Sequence, residues 1–184
     1  HQRLGGAAHA LSQGPTEVIP YLARQQRLTF ARMGITDPLS LVDYEAHEGW
    51  AGLKRALALD GAAIVDQVTQ SGLRGRGGAA FPAGIKWQTV LKTDAAQKYV
   101  VCNADEGDSG TFSDRMTMEG DPYMLIEGMT IACLAVGATQ GYVYIRSEYP
   151  HSVAVMNEAV ARATDARYLG DSVCGLGRAF HMHI

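Results

Sequence analysis

The chain has 184 residues, 47% of them hydrophobic and 19% charged, and its net charge is −3. These values are typical of a water-soluble globular domain, and they exclude the strongly basic surface that most nucleic-acid-binding domains carry. No apolar run is long enough to predict a membrane span, and no signal sequence opens the chain. The first residue is histidine rather than methionine, so we expect the sequence to be part of a longer protein.

The first part of the chain is predicted to be helical after an irregular start. Residues 1–15 are rich in Gly, Ala and Gln, which indicates a linker or a frayed helix. A helix is predicted over 21–33, and a short one over 40–47. We therefore divide the chain into an N-terminal linker and helical segment, residues 1–43, and an α/β domain, residues 44–184.

Helices and strands alternate through the rest of the chain. Apolar residues at helical spacing predict the helices, and short β-branched runs predict the strands. Asp121 and Pro122 are predicted to open one of the helices as its N-cap and first residue. In chain order, the predictions are helices over 50–59, 61–71 and 83–91, a buried strand over 99–103, a buried helix over 123–136, a strand over 141–146, a helix over 150–163 and a strand over 178–184. This alternation predicts a three-layer α/β fold with a parallel or mixed sheet.

The most informative motif is SGLRGRGGAAFPAGIKW, which occupies residues 71–87. Its glycines allow backbone N–H groups to approach a phosphate closely, because no Cβ stands in the way. Pro82 suits the first turn of a helix, whose N-terminus adds a partial positive charge. The motif therefore predicts a site for an anion, and a nucleotide is the anion that it favours.

An acidic loop follows the predicted strand over 99–103. The sequence ADEGDSG places Asn103, Asp105, Glu106 and Asp108 at the carboxyl end of this strand. Ligands of open α/β sheets bind beyond this end of the strands. Carboxylates do not bind phosphate, but they can hydrogen-bond ribityl, ribose or amide groups. A sugar-phosphate ligand held by glycines at one end and by acids at the other fits both motifs.

The glycine motif differs from the ordinary dinucleotide-binding fingerprint. Gly75, Gly77 and Ala80 have the GxGxxA spacing, but that fingerprint requires a strand before it. The preceding segment predicts a helix instead. The loop is therefore not predicted to be a Rossmann turn.

Two segments carry a family resemblance, GLRGRGGAAFPAGIKW and CNADEGDSGTFSDRMTMEGDPYMLIEGM. They resemble the flavin- and NADH-binding flavoprotein subunit shared by respiratory complex I, NAD-reducing hydrogenases and NAD-dependent formate dehydrogenases. The resemblance extends from about Tyr44 to the last residue. Residues 21–30 and the segment NADEGDSGTFSDR are most similar to the formate dehydrogenase beta subunit, and the hydrogenase diaphorase subunit is a near second.

The resemblance implies a diaphorase-type subunit that passes electrons between NAD(H) and iron–sulfur carriers through bound FMN. It implies a Rossmann-like flavin-binding domain that is incomplete at the C-terminus of this chain. The family also holds a 4Fe–4S cluster, whose cysteines are absent from this segment. The implied partners are a small thioredoxin-like 2Fe–2S subunit and an iron–sulfur-containing catalytic subunit, with no nucleic acid and no direct membrane span.

The resemblance also implies roles for individual residues. NADH is expected to stack its adenine on Phe81 with Asp108 nearby, and Glu106 is expected to act in catalysis. Ala80 stands where relatives commonly have Gly, so we expect no very close approach of a ligand there. The residues expected to hold FMN are Gly75, Arg76, Gly77, Gly78, Lys86, Asn103, Asp105 and Glu106.

Several of these assignments have an alternative. Phe81 fits a core position as well as a stacking surface, whereas Trp87 is expected in the core. The acids of the acidic loop fit a solvated turn, and Asp114 and Arg115 fit an ion pair or a helix cap. A different class of function is a nucleotide-binding assembly module that has the fold but no turnover.

Histidines and cysteines give weaker signals. His181 and His183 alternate on a predicted strand, and with no third ligand nearby a surface or packing role is favoured over a metal site. Cys102 is expected to pack in a buried strand. The three widely spaced cysteines form neither a disulfide framework nor a metal motif, which indicates a reducing, cytoplasmic setting.

Overall fold

Three parallel strands and the helices that connect them form the centre of the molecule. The computed structural model describes residues 10–184, and it divides the chain into two compact units, His1–Ala31 and Arg32–Ile184. This division comes earlier in the chain than the predicted one between residues 43 and 44. Residues 1–9, which belong to the predicted linker, lie outside the described residues.

The described residues contain eight α-helices and three strands, which closely follow most of the predicted elements. The helices are α1 (Pro20–Ala23), α2 (Leu41–Ala46), α3 (Ala51–Leu57), α4 (Gly61–Gln70), α5 (Ala83–Lys92), α6 (Ser113–Gly120), α7 (Pro122–Val136) and α8 (Pro150–Asp165). The strands are β1 (Tyr99–Ala104), β2 (Gln140–Ile145) and β3 (His181–His183).

The sheet has the strand order β1-β2-β3, and both neighbouring pairs run parallel. The helix α7 packs on β1 and β2, the helix α8 packs on β3, and the two helices contact each other, so both lie on the same face of the sheet. Val143 and Met182 are buried on this face. The predicted α/β fold is thus confirmed, with a small parallel sheet. Among the described residues helices cover only one face of this sheet, so the third of the predicted layers is not seen there.

The opposite face of the sheet is exposed within the described residues. Tyr99 and Val101 of β1 and Tyr142 and Tyr144 of β2 all point away from the helices and are exposed. The prediction of a buried strand over 99–103 is therefore wrong for every second residue. Only one face of β1 is covered by helices, so its side chains alternate between the core and solvent.

The helix α7 is the element on which α3, α4, α5 and α6 pack. It is apolar nearly all round and mostly buried, as predicted, and Pro122 is its first residue. Asp121 is its N-cap residue, as predicted, but the Asp121 side chain forms no capping hydrogen bond to the helix. Its Oδ2 instead accepts a hydrogen bond from Arg32 Nε at 2.8 Å. None of the described helices is long and apolar enough to cross a membrane.

One acidic residue of α7, Glu127, lies inside the core. Its carboxylate accepts hydrogen bonds from the hydroxyl of Tyr44 at 2.5 Å and from the N–H groups of Trp50 at 2.9 Å and Leu53 at 2.8 Å. The last two residues stand at the start of α3. Glu127 therefore caps α3 from another helix, beside the packed rings of Tyr44, Trp50 and Tyr123.

The predicted helix over 21–33 is wrong beyond its first residues. The helix α1 ends at Ala23 and buries no residue, and Leu28 is 89% exposed. A short helix needs an apolar face packed on other structure. The polar run over 24–27 supplies no such face.

The helix α6 is absent from the sequence-based prediction. Its N-cap residue is Phe112, which has no side-chain acceptor for the first N–H groups of the helix. The local sequence therefore lacks the usual start signal. Its cap comes from Glu106, on the far side of a loop.

Candidate functional site

The glycine loop, residues 71–81, is a closed turn between α4 and α5. Two backbone hydrogen bonds close it, from Ala83 N–H to Leu73 C=O at 2.8 Å and from Gly75 N–H to Phe81 C=O at 2.9 Å. The whole loop is exposed. Because a helix and not a strand precedes it, the loop is not a Rossmann turn, as predicted.

Two arginines brace the backbone of the glycine loop. Arg74 Nη1 donates to the carbonyl of Ala80 at 2.9 Å, and Arg76 Nη1 donates to the carbonyl of Arg74 at 2.7 Å. A guanidinium has five N–H donors, so both side chains keep donors for water or a ligand. The loop is thus held in shape by its own side chains while its outer surface stays open.

Three glycines of this region differ in what the protein requires of them. A Cβ on Gly84 would lie 2.2 Å from Thr69 Oγ1 and 2.6 Å from Thr69 Cα, so close packing of α5 on α4 requires glycine there. Gly78 has a φ of +103°, which L side chains rarely adopt. Gly77 has no positive φ, and no heavy atom lies within 4 Å of its Cβ position. The described protein itself gives no reason for glycine at position 77.

A pocket of about 320 Å³ opens beside the glycine loop. Its lining residues are Gly75, Gly77, Ala79, Ala80, Phe81, Ala83, Lys86 and Trp87. Phe81 is 50% exposed, so its ring is not a core side chain. Trp87 is half-buried and packs against the core with one part while it lines the pocket with another. The pocket is close to the lower end, about 300 Å³, of the range for small-molecule sites.

The pocket lies at the N-terminus of α5. Pro82 is the N-cap of this helix and has no side-chain acceptor, so the N–H groups of Gly84 and Ile85 have no partner within the helix. Lys86 lines the pocket one turn further on, and among the described residues it forms no ion pair. Free N–H groups, the positive end of the helix dipole and an ammonium group together suit a phosphate.

Ala80 closes one side of the same pocket in an unusual backbone conformation. Its φ is +50°, in the left-handed region that favours glycine. Glycine adopts this conformation without strain, whereas the alanine found here carries a small energetic cost.

The acidic loop, residues 104–110, leaves the carboxyl end of β1, as predicted. Asn103 Oδ1 accepts a hydrogen bond from the N–H of Asp105 at 3.1 Å. The Asp105 carboxylate lies over Gly107, with one oxygen 3.1 Å from where a Cβ would stand. Asp108 is exposed at the tip of the loop. The acidic loop is therefore an ordered turn with its polar groups at the edge of the sheet where ligands of such folds bind.

Glu106 has more contacts than its neighbours in this loop. Its Oε1 and Oε2 accept hydrogen bonds from the N–H groups of Asp114 and Arg115, each at 2.9 Å, at the start of α6. Its carbonyl accepts a hydrogen bond from the Tyr149 hydroxyl at 3.2 Å, and its φ is +45°. The predicted helix cap is thus present but is supplied by Glu106, and the described contacts include no ion pair between Asp114 and Arg115.

Aromatic and electrostatic contacts surround this cap. The Arg115 guanidinium lies over the rings of Phe112, at 4.7 Å, and Tyr149, at 5.3 Å. Burial, and then the charge of Glu106, raise the pKa of Asp114. The start of α6 is therefore a crowded junction between the acidic loop and α8.

The predicted site residues form two groups. Gly75, Gly77, Phe81 and Lys86 line the pocket at α5, with Arg76 and Gly78 in the same loop, whereas Asn103, Asp105, Glu106 and Asp108 belong to the acidic loop. Among residues 10–184, no acidic-loop residue lines the pocket at α5. The phosphate end and the sugar end of the predicted site are thus formed by separate loops.

The two C-terminal histidines have protein partners. His181 Nε2 lies 3.2 Å from Asp171 Oδ1, and His183 Nε2 forms a 2.9 Å hydrogen bond with Gln140 Oε1 while its ring stacks on Tyr142. Within the part of the chain that the structure describes, no three His, Cys, Asp or Glu side chains are arranged to hold a metal ion.

The described cysteines are all free thiols. Burial raises the pKa of Cys133 to about 12, and its Sγ donates to the carbonyl of Ala138. Burial also raises the pKa of Cys102, which is half-buried rather than buried as predicted. Thiols that stay protonated are poor nucleophiles and poor metal ligands, which fits a packing role.

Tyr149 contacts the acidic loop, and sequence reasoning does not identify this contact. It lies 43 positions from Glu106 in the chain, yet its hydroxyl bonds the Glu106 carbonyl. No motif spacing connects the two residues. The only local signal is that Tyr149 directly precedes the proline that begins α8.

The fold and the pocket define a class of protein, an α/β domain with an open pocket at a helix N-terminus and an acidic loop at the carboxyl edge of its sheet. The family model Complex1_51K, described as the Nuo51 FMN-binding domain, matches residues 68–183. The chain belongs to this family, which confirms the resemblance found in its two motifs.

Relatives of this chain occur in two kinds of enzyme complex. It is 46% identical over 161 residues to HndC, a subunit of the NADP-reducing hydrogenase of Solidesulfovibrio fructosivorans, covering 88% of this chain and 33% of that protein. It is 46% identical over 151 residues to an NADH-quinone oxidoreductase subunit of Rhizobium meliloti, covering 82% and 36%. With the corresponding NADH-quinone oxidoreductase subunit of Escherichia coli the identity is 38%, covering 85% and 36%.

A solved structure shares the fold. An NAD⁺-reducing [NiFe]-hydrogenase in the H₂-reduced state matches with a TM-score of 0.64 and 28% identity, covering 86% of this chain and 24% of that one. The chain thus spans about a third of the length of the curated relatives it matches.

Proposed function

We propose that the chain is the FMN- and NAD(H)-binding part of a diaphorase-type subunit that passes electrons between NAD(H) and iron–sulfur carriers. Membership in a family defined by an FMN-binding domain supports the flavin. The structural observation that carries the proposal is Gly77. It lines a pocket at a helix N-terminus, yet neither its φ nor any neighbour requires glycine. A phosphate group seated against the backbone accounts for the missing Cβ.

The glycine loop and α5 hold the phosphate of FMN in this proposal. Gly75, Gly77 and Gly78 let the backbone approach the phosphate, and Arg76 in the same loop adds positive charge. The N-terminus of α5 adds its dipole, and Lys86 adds a charge-assisted contact. The free N–H groups at the start of α5 and the unpaired ammonium fit this role.

The acidic loop holds the rest of the flavin, and Phe81 receives the dinucleotide. Asn103 and Asp105 offer an amide and a carboxylate to the ribityl chain and the ring edge. The half-exposed ring of Phe81 is available to stack adenine, and the exposed Asp108 is assigned to NAD(H) in this proposal. When bound, FMN would supply the chemistry that links two-electron transfer from NADH to one-electron carriers, and these residues would bind and orient it.

For the whole protein, we propose the beta subunit of an NAD-dependent formate dehydrogenase in the cytoplasm. Support comes from residues 21–30 and the segment NADEGDSGTFSDR. The hydrogenase and quinone oxidoreductase relatives support the equivalent subunits of those complexes equally. In each case the proposed partners are a thioredoxin-like 2Fe–2S subunit and an iron–sulfur catalytic subunit, and a 4Fe–4S cluster is held by sequence outside this chain.

The flavin site is tested by a pair of glycine substitutions in the intact protein. Gly77→Ala adds a methyl group that meets no protein atom, so we expect an unchanged unfolding midpoint and at least tenfold weaker FMN binding by fluorescence titration. Gly128→Ala is the matched control, because Gly128 also has open space around its Cβ position and no positive φ. Equal FMN affinity for Gly77→Ala and the parent protein would contradict the proposed site.

The electron donor is tested on the complex purified from its host. Reduction of NAD⁺ is measured with formate and with H₂, and NADH oxidation is measured with a quinone. Formate-dependent reduction that outpaces the other two reactions supports the formate dehydrogenase proposal. Activity with H₂ or a quinone, and none with formate, assigns the chain to one of the other two complexes.

A further inference from the structure

The side chain of Glu106 supplies the cap that α6 lacks. Its two oxygens accept from the N–H groups of Asp114 and Arg115, which are the second and third residues of that helix. These are the groups that an N-cap side chain normally serves. Phe112 occupies the N-cap position and cannot serve them. Glu106 therefore caps α6 from across a loop, whereas most helices are capped by a Ser or Asp at their own N-cap position.

The backbone of Glu106 is fixed as firmly as its side chain. Its carbonyl accepts the hydrogen bond of the Tyr149 hydroxyl at 3.2 Å, just before α8 begins. Its φ of +45° is a conformation that a residue with a Cβ adopts only when its surroundings enforce it. One residue thus joins the end of β1 to the starts of α6 and α8.

This attachment determines where the neighbouring polar groups stand. Asp105 precedes Glu106 directly, and its carboxylate lies over Gly107, the residue that follows. Asn103 is tied to the same turn through its bond to Asp105 N–H. If the Glu106 cap is released, the peptide between Asp105 and Gly107 is free to leave its left-handed conformation, and both polar groups move with it.

We propose that Glu106 is a positioning residue for the flavin. Its carboxylate holds the acidic loop against α6, so that Asn103 and Asp105 meet FMN in one fixed arrangement, and it neither accepts nor donates a proton during turnover. This role replaces the catalytic role expected from the sequence. It rests on the proposed FMN function.

The test distinguishes two effects of Glu106, the capping of α6 and the positioning of the acidic loop. Phe112→Asp places an acceptor at the N-cap of α6, where it can serve the N–H groups that Glu106 serves. The variants compared are Glu106→Ala, Phe112→Asp, their double variant and Glu106→Gln, all in the intact protein. Three quantities are measured: the unfolding midpoint, the dissociation constant of FMN, and the pH profile of kcat with NADH and a dye acceptor at saturating FMN.

We expect Glu106→Ala to lower the unfolding midpoint and to weaken FMN binding at least tenfold. In the double variant the midpoint should return to that of Phe112→Asp, while FMN binding stays weak, because a local cap does not tie down the acidic loop. With FMN saturating, Glu106→Gln should keep both limbs of the kcat pH profile. If Glu106→Ala does not fold, the double variant and Glu106→Gln carry the comparison.

Two results would overturn the proposal. FMN affinity that recovers together with the midpoint in the double variant would make Glu106 a helix cap and no more. Loss of one limb of the pH profile in FMN-saturated Glu106→Gln would show that the carboxylate takes part in proton transfer. The proposed FMN function fails separately: in that case Gly77→Ala also leaves FMN affinity unchanged, whereas failure of the positioning role alone leaves the Gly77→Ala effect intact.

Discussion

Glu127 and Glu106 use the same interaction in two different regions of the molecule. Each carboxylate accepts two backbone N–H bonds at the start of a helix that it does not belong to, α3 for Glu127 and α6 for Glu106. Glu127 is buried among aromatic rings and also accepts the Tyr44 hydroxyl. Glu106 lies at the edge of the sheet, where water can replace a lost bond. The same cap therefore stabilises the fold in one place and shapes a ligand loop in the other.

Burial determines how much each cap contributes to the free energy of unfolding. When a buried N–H or O–H group loses its acceptor, no water molecule can replace the lost hydrogen bond. The protein then loses the full desolvation free energy of that group. Both Glu127 and Tyr44 are buried, and this burial first, and then Glu127 itself, raise the pKa of the Tyr44 hydroxyl. Tyr44 therefore stays protonated and remains a donor.

The largest expected effect is on stability, from Glu127→Ala. It leaves the Tyr44 hydroxyl and the N–H groups of Trp50 and Leu53 without an acceptor in the core, which should cost about 3–5 kcal/mol of unfolding free energy. Glu106→Ala should cost only about 0.5–2 kcal/mol, as for an ordinary cap. Urea unfolding of both variants measures the difference. Glu127→Gln is the control and should lose less than Glu127→Ala, since its carbonyl oxygen still accepts. If Glu127→Ala and Glu106→Ala lose equal amounts of unfolding free energy, burial does not determine what a cap contributes to stability.

The fold is predictable wherever the start of a helix is encoded next to it. Ser40 and Asp60 accept bonds from the third helical residue of α2 and α4, and Pro122 and Pro150 begin α7 and α8, so all four helices follow from local sequence. The helix α6 does not, because its cap is a distant glutamate. Such long-range caps leave no spacing rule to recognise.

In the exposed loops, we expect a substitution to change ligand binding and to leave the unfolding midpoint unchanged. Lys86→Ala should leave the unfolding midpoint unchanged, because the Lys86 side chain is exposed and forms no described ion pair. It should weaken FMN binding by ~1.5–3 kcal/mol, the usual value of a charge-assisted contact, or roughly ten- to a hundredfold. Titration with FMN measures this. Lys92→Ala, at the other end of α5, is the matched control, and an equal effect there would point to general electrostatics instead.

The site is less predictable than the fold because its parts depend on long-range contacts. The glycine loop and the acidic loop are visible as motifs, and the resemblance assigns residues to both. Sequence reasoning does not indicate that Arg76 braces the loop or that Glu106 is a cap, since these roles depend on partners seen only in three dimensions. Glu127 had a local signal, as the one acid within an apolar helix, and an unpaired charge there would be too costly to bury.

A smaller effect on the free energy of unfolding is expected from a substitution in the backbone of the glycine loop. Ala80 has a φ of +50°, which costs about 1–2 kcal/mol for a residue with a Cβ. Ala80→Gly removes this strain but adds about 0.5–1 kcal/mol of chain entropy in the unfolded state. The net gain in unfolding free energy should therefore be about 0.5–1 kcal/mol. A loss of stability measured by urea unfolding would show that the alanine side chain packs usefully in the pocket.

The smallest expected effect is a change in pH dependence at the start of α6. Burial, and then Glu106, raise the pKa of Asp114 above its unfolded value of about 3.9. The folded protein therefore binds more protons than the unfolded chain between these two pKa values, and the contribution of Asp114 to stability falls as pH rises through them. Asp114→Asn removes this titration, so its stability relative to the parent protein should increase between pH 4 and pH 7.

The pH slope is the decisive quantity, because a charge near a helix N-terminus is favourable in itself and shifts the absolute stability of Asp114→Asn the other way. Urea unfolding of both proteins at several pH values gives that slope. In a Glu106→Gln background the slope should shrink, because the second cause of the raised Asp114 pKa is removed. A difference between Asp114→Asn and its parent that does not change with pH would mean that Asp114 titrates alike in the folded and unfolded states. The junction at Glu106 would then be more open to water than its contacts indicate, and its contrast with the buried cap at Glu127 would be sharper still.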